Sequence, residues 1–123
     1  MKYLCLAYEE ERALNDLSPD EWTELRDRTL AYVDELRASG RLISVHPLRS
    51  ARTAATVRVR GGRLAVTDGP FAETKEQLGG FFLIDVADAD EAIEVASRWP
   101  SAALGTIEVR PVEDGLDPER RYR

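Results

Sequence analysis

Two alternating apolar runs on either side of Gly61-Gly62 constrain this chain more than any other feature. Between residues 56 and 68 apolar side chains recur at every second position, and a Gly-Gly pair suits a two-residue turn that needs positive φ. The resulting register sets Arg60 opposite Arg63, Val59 opposite Leu64, Arg58 opposite Ala65 and Val57 opposite Val66. One face of the ribbon then carries Val57, Val59, Leu64 and Val66, and the other carries Arg58, Arg60 and Arg63. Asp68 shares the parity of Leu64 and Val66, so it ends the strand pointing to the apolar side. The ribbon reads as a β-hairpin, an insertion between the units on either side of it.

The flanking segments supply the rest of the fold. Residues 2–8 are short and apolar and predict a buried first strand, followed by a polar connection over residues 9–17. Ser18-Pro19-Asp20-Glu21 is a helix start, with Ser18 as cap, Pro19 at the first helical position and Glu21 completing a capping box. Trp22, Leu25, Thr29, Tyr32, Val33 and Leu36 form one apolar stripe, and Gly40 can end the helix. Residues 41–48 read as a second strand that stops near Pro47. After the hairpin, a loop over residues 69–78 leads through Gly79-Gly80 to the apolar run 81–84, the pattern of a strand covered on both faces. Asp88 and Glu91 predict a second capping box, and Ala92, Ile93, Ala96 and Trp99 a second amphipathic helix closed by Pro100. Residues 105–111 give the last strand. The domain then spans residues 1–112, with a polar tail at 113–123.

The order is β-α-β, a hairpin, then β-α-β. This predicts an α+β, ferredoxin-like sandwich with both helices on one face of a largely antiparallel sheet. The other face needs cover, and a homodimer packing sheet against sheet is the simplest way to supply it.

Composition narrows the partners. At 123 residues the chain is sized for one domain, and 43% hydrophobic with 33% charged residues describes a globular protein rather than a disordered one. A formal net charge of −6 argues against sequence-independent nucleic-acid binding, which depends on neutralising phosphates. The single cysteine, Cys5, rules out an internal disulfide and a multi-cysteine metal site. No apolar run approaches the ~20 residues of a membrane span. The start, with one lysine and then Glu9, Glu10 and Glu11, is not patterned as a signal peptide, so the cytoplasm is the expected location.

The segment from Thr67 to Glu76 looks like a functional loop. It places Asp68, Glu73, Lys75 and Glu76 directly after a strand end, on a backbone stiffened by Gly69-Pro70. A carboxylate aimed at an apolar face has its pKa raised by desolvation, which suits Asp68 to proton transfer near neutral pH. The same Asp-Gly-Pro arrangement can equally serve an Asx-type turn. His46 is the only imidazole and would have to carry any histidine chemistry. One His and one Cys far apart give no transition-metal ligand spacing, and no Gly-rich phosphate loop is present, so neither metal nor cofactor is expected. Arg49, Arg52, Arg58, Arg60 and Arg63 follow one another without an intervening acid. Such a band can bind an anionic ligand or partner, or can simply keep a hairpin soluble and its edge unpaired.

The run VTDGPFAETKEQLGGFFLIDV, with the start MKYLCLAY and the ending GTIEVRPV, resembles the YCII-related family of the DGPF type over about residues 1–112. The resemblance implies a dimeric ferredoxin-like α/β-barrel fold and a His–Asp pair in a pocket, without a settled reaction. One relative is similar to a dehydrochlorinase acting on chlorinated hydroquinones. Genes of this type often lie beside those for extracytoplasmic-function sigma factors, which implies a regulatory setting. By this resemblance Asp68 to Phe71 match the DGPF motif, and Glu73, Lys75 and Glu76 match the charged positions after it. Where many relatives place a His before an Ala-aromatic pair, Thr29 stands before Leu30, Ala31 and Tyr32. Two readings follow. One is a small homodimer whose DGPF loop lines a pocket for a polar, anionic or aromatic metabolite. In it, Asp68 and His46 would do cofactor-free elimination-type chemistry, and Glu73, Lys75, Arg58 and Arg60 would bind substrate. The other is a non-catalytic module that binds a sigma-factor-linked protein.

Overall fold

The order of strands and α-helices follows the expected one with a single addition in a computed structural model that describes residues 1–122, and short 3₁₀ turns stand at Ala51–Thr53 and Pro100–Ala103. Arg123, the last residue of the expected tail, lies outside the described residues. The strands are β1 (Lys2–Glu9), β2 (Leu42–Pro47), β3 (Ala55–Arg60), β4 (Arg63–Asp68), β5 (Gln77–Asp85) and β6 (Thr106–Pro111). The helices are α1 (Glu11–Asn15), α2 (Pro19–Ala38) and α3 (Ala89–Ser97). The addition is α1, a short helix where a polar connection was expected.

Local chemistry accounts for the helix starts. Ser18 Oγ accepts from the Glu21 amide at 3.1 Å while the Glu21 carboxylate accepts from the Ser18 amide at 2.9 Å, which closes the capping box. At α3 only half of the expected box forms. Asp88 accepts from the Glu91 amide, but the Glu91 carboxylate takes the Ala87 amide instead. The turn glycines Gly61 and Gly62 have φ of 56° and 74°, and the hairpin pairs in the register read from the sequence, Arg60 with Arg63 through Ala55 with Asp68.

The main sheet has the order β2-β5-β1-β6, with every neighbouring pair antiparallel. β5 thus lies between β1 and β2, and β1 lies between β5 and β6. Each β-α-β unit is split by a strand of the other, which is the ferredoxin-like arrangement. Tyr3, Cys5 and Ala7 pair with Ile84, Phe82 and Gly80, so these residues share one face. That face is covered by α2 and α3 and carries the core of Leu36, Val33, Ala92, Val95 and Trp99. Phe82 stacks on Trp99 at 4.1 Å, and Tyr32 donates to the Val95 carbonyl at 2.7 Å, tying the two helices together.

Three expectations need correction. The stripe on α2 is buried only at Tyr32, Val33 and Leu36, because the first half of the helix stands off the sheet and leaves Trp22 exposed. On α3 the buried apolar residues are Ala92, Val95 and Ala96, while Ile93 faces solvent. Within a single chain the run 81–84 is covered on one face. Phe82 and Ile84 are buried, whereas Phe81 and Leu83 are half-buried on the open face with Leu4, Leu6 and Tyr8. The hairpin is a separate two-stranded sheet whose apolar side is uncovered, with Val57 62% and Leu64 68% exposed.

Candidate functional site

Where α2 lifts away from the sheet it leaves a cavity of about 420 Å³. Its walls are largely apolar, with Leu25, Val33, Val45, Phe82 and Trp99 among them, and Arg26 and Arg37 reach it from α2. This is the size and lining of a small-molecule site. One carboxyl group enters it, that of Glu9.

The sequence aims Glu9 there by parity. Glu9 follows Tyr3, Cys5 and Ala7 at steps of two on β1, so it faces the helices, at the strand end that α2 covers least. The cavity lining agrees, and the β1–β5 register adds a detail. Ala7 pairs with Gly80 and Tyr8 with Leu78, leaving Gly79 as an extra, bulged residue. A side chain at position 79 would occupy the place of the Glu9 carboxylate. Gly79 is therefore the residue that lets the carboxyl fold into the cavity. Burial raises the pKa of Glu9, the charge of Glu11 adds to the rise, and the nearby Ser101 hydroxyl offsets part of it. The Ser101 hydroxyl lies close enough to lower the pKa of Glu9 as a hydrogen-bond donor does, yet its Oγ makes no hydrogen bond of full geometry.

Outward from the cavity the surface continues in two steps. A groove of about 450 Å³ shares Glu9, Leu14, Trp22, Leu48 and Gly79 with it. Beyond the groove, sharing Glu11 and Asn15, lies an open shelf of about 660 Å³ that contains Asp68, Gly69, Pro70 and Glu73. α1 forms the wall between them. The Ser50 hydroxyl, and after it the Ala51 amide, which donates to the carboxylate at 2.8 Å, hold the pKa of its Glu11 below the usual range.

Comparison with known proteins fits this architecture. A family model described as the YCII-related domain matches residues 1–115. The chain belongs to the YCII-related family. An uncharacterized protein, R00369, of Rhizobium meliloti (strain 1021) is 40% identical over 114 residues, covering 91% of this chain and 92% of that relative. Among solved structures, 5-chloro-2-hydroxyhydroquinone dehydrochlorinase (TftG) from Burkholderia phenoliruptrix AC1100, in complex with 2,5-dihydroxybenzoquinone, superposes with a TM-score of 0.58. That match covers 94% of this chain and 96% of the other at 18% identity, a likeness of fold.

The residues expected to act in this YCII-related chain do not converge. Asp68 ends β4 in a solvent-exposed position, and its carboxylate has no hydrogen-bond or ion-pair partner among the described residues. The burial promised by its parity is missing because the hairpin face it points along is itself uncovered. The loop is held by backbone instead: the Gly69 amide donates to the Ala54 carbonyl at 2.7 Å and Thr56 Oγ1 to the Gly69 carbonyl at 2.9 Å. His46 borders the cavity, but its ring tilts over Phe81 at 5.1 Å, on the sheet face turned away from the helices. It shares no lining with Asp68. Lys75 is exposed and lies 3.8 Å from Glu10. Glu73 borders the shelf, whereas Arg58 and Arg60 stand on the exposed hairpin.

Thr29, at the position where many relatives place a His, does line the cavity, but its hydroxyl donates back to the Leu25 carbonyl at 2.8 Å. Cys5 is fully buried, and burial pushes its thiol up to about 12, so it is not a nucleophile at neutral pH. No metal-binding cluster of three acidic, His or Cys residues occurs among the described residues, and no helix there is long and apolar enough to cross a membrane. Sequence reasoning missed Glu9 and Ser101. The signal for Glu9 was available in its odd parity with Tyr3, Cys5 and Ala7. Ser101 gave none, since its place depends on how the turn Pro100–Ala103 packs.

Proposed function

We propose that this protein binds a small aromatic or cyclic molecule in the cavity under α2 and carries out cofactor-free proton-transfer chemistry on it, with Glu9 as the base or acid. The single observation that carries this reading is a half-buried carboxyl with a raised pKa at the wall of a largely apolar cavity. A carboxyl in that setting keeps its proton to higher pH and is a stronger base once ionised than one in water. Apolar walls would hold a ring in place. Glu9 would take a proton from the bound molecule as a leaving group departs with its bonding electrons, which is an elimination. Arg26 and Arg37, entering from α2, would offset negative charge that develops on the molecule.

The dehydrochlorinase of similar fold, solved with a dihydroxybenzoquinone, supports the choice of a small oxygenated ring as the substrate class. In this reading Glu9 takes the proton-transfer role expected of Asp68 from its strand parity, and Asp68 and Glu73 form a polar lip on the approach. The test is a thermal-shift screen of phenols and small ring acids against wild type, Glu9→Gln and Asp68→Asn, followed by turnover assays on any hit. A ligand that stabilises wild type and Asp68→Asn but not Glu9→Gln supports the assignment. Loss of the shift in Asp68→Asn alone returns the site to the DGPF loop.

A specific observation also supports a partner. The open sheet face carries the half-buried Leu4, Leu6, Phe81 and Leu83, and the hairpin stripe of Val57, Val59, Leu64 and Val66 is exposed, and apolar surface of this kind marks interaction sites. We infer that a second copy covers them, as sheet-against-sheet packing requires. Sedimentation at micromolar concentration should give a dimer that Leu64→Glu with Val66→Glu dissociates. A monomer in wild type leaves the stripe to a different protein, the sigma-factor-linked partner implied by the DGPF resemblance.

A further inference from the structure

The cavity contains one buried hydroxyl, that of Ser101. Its only polar neighbour of note among the described residues is the Glu9 carboxyl, and its contact with that group falls short of a full hydrogen bond. Ser101 sits in the turn Pro100–Ala103, is 7% exposed, and its Oγ has no hydrogen-bond partner among the described residues. Buried hydroxyls in folded proteins are nearly always bonded, and an orphan works against stability. The adjacent positions, Ala102 and Ala103, carry bare methyl groups. Ser101 therefore stands out as a polar side chain that the packing of the turn does not use.

Its surroundings indicate what would use it. Ser101 and Glu9 line the cavity together, and both also border a smaller chamber of about 60 Å³. The carboxylate is an acceptor and the hydroxyl is free to donate. A ligand group that reaches both from the cavity has to donate and accept through one atom. An ether oxygen accepts but cannot donate, an ammonium donates but cannot accept, and a carboxylate would meet the charge of Glu9. A hydroxyl meets both requirements. The walls beside this point include Phe82 and Trp99, stacked on each other at 4.1 Å, which suits a flat ring.

We propose that Ser101 and Glu9 together read a hydroxyl group on an aromatic ring, the ligand O–H donating to the Glu9 carboxylate while its oxygen accepts from Ser101 Oγ. Ser101 is then the specificity-determining residue of the cavity. This rests on the reading of the cavity as a ligand site, and it adds a residue and a functional group to that reading.

The test uses the full chain and three probes of similar shape: 4-methylphenol, 4-methylanisole and toluene. Binding is followed by calorimetry or by chemical-shift changes in wild type, Ser101→Ala and Ser101→Thr. Wild type should prefer 4-methylphenol to toluene by about tenfold or more, since a site with paired polar groups rejects an analogue that leaves them unmet. Ser101→Ala should lower the affinity for 4-methylphenol by about fivefold to tenfold, the effect of one hydrogen bond, and leave that for toluene unchanged. Ser101→Thr, which keeps the hydroxyl, should retain part of the preference. The unliganded Ser101→Ala protein should melt no lower than wild type, a readout that a purely structural role for Ser101 would reverse.

If 4-methylphenol binds and Ser101→Ala leaves its preference over toluene intact, Ser101 is not the reader, and the cavity remains a ligand site. Equal binding of all three probes to wild type overturns hydroxyl recognition in the same way. If none of them binds wild type, the cavity reading and this inference fall together.

Discussion

Glu9 and Asp68 are the same kind of group in the same kind of place. Each is the last residue of its strand, Glu9 with the parity of Tyr3, Cys5 and Ala7 and Asp68 with that of Leu64 and Val66. Their surroundings differ. The apolar residues that lead to Glu9 lie beneath α2 and α3, with Cys5 fully buried, whereas those that lead to Asp68 are open to solvent. Parity aims a side chain, but only a second layer of structure removes water from it, and that removal is what changes a carboxyl's chemistry. In this chain the second layer covers β1 and not the hairpin.

The largest contrast should appear between two phenylalanines. Phe82 is buried against Trp99 beside the cavity, so Phe82→Ala should cost about 3–5 kcal/mol in urea unfolding. Phe71 of the DGPF motif is 81% exposed, and Phe71→Ala should stay within about 0.5 kcal/mol. A comparable cost at both positions would mean that the loop is covered in the working assembly, and the contrast would break.

The two glycines of the β5 bulge sharpen it next. A Cβ at position 80 meets the His46 carbonyl at 3.0 Å and Pro47 Cα at 3.3 Å, backbone that cannot step aside, so Gly80→Ala should destabilise by about 1–3 kcal/mol. At position 79 the obstruction is the end of the Glu9 side chain, which can move. Gly79→Ala should therefore fold with a smaller loss, under about 1 kcal/mol, while expelling the carboxyl and abolishing ligand-induced stabilisation.

A pH series tests the burial of Glu9 through stability. Burial raises its pKa in the folded chain, so the folded state holds that proton more tightly than the unfolded one. Glu9's contribution is then favourable at low pH and declines as pH rises from the ordinary glutamate value through the raised folded one. Glu9→Gln removes the decline. The variant should melt above wild type at pH 7, with the difference closing as pH falls below the ordinary glutamate range.

The smallest effect belongs to the hairpin arginines. Arg58 and Arg60 are exposed, and Arg60 bonds only the neighbouring Val59 carbonyl among the described residues. Arg58→Ala with Arg60→Ala should change stability by no more than about 0.5 kcal/mol and leave ligand affinity in low salt unaltered. A salt-sensitive loss of affinity would return the arginine band to the binding site.

The sequence was informative wherever a local rule decides. The Gly61-Gly62 turn, the register across it, the Ser18–Glu21 box and the order of strands and helices all follow from neighbours within a few residues. The single-sided cover of residues 81–84 was less legible, because a continuous apolar run reads the same whether a second face meets a helix or a partner. The site was legible only in part. The DGPF loop announces itself by composition, yet its carboxylate lies in water. Glu9 looked like one of three acids in a polar connection. Its role depends on a β-bulge at Gly79, on the lift of α2 and on a turn some ninety residues away, and no local pattern encodes that combination.

The most direct test is a pH titration of the Glu9 carboxyl carbon by NMR, assigned by its disappearance in Glu9→Gln. The account predicts a midpoint above the ordinary glutamate value of about 4.3, and a return toward that value in Gly79→Ala. A Glu9 that titrates in the ordinary range in wild type would contradict it, since the cavity would then hold no desolvated carboxyl to do proton-transfer chemistry.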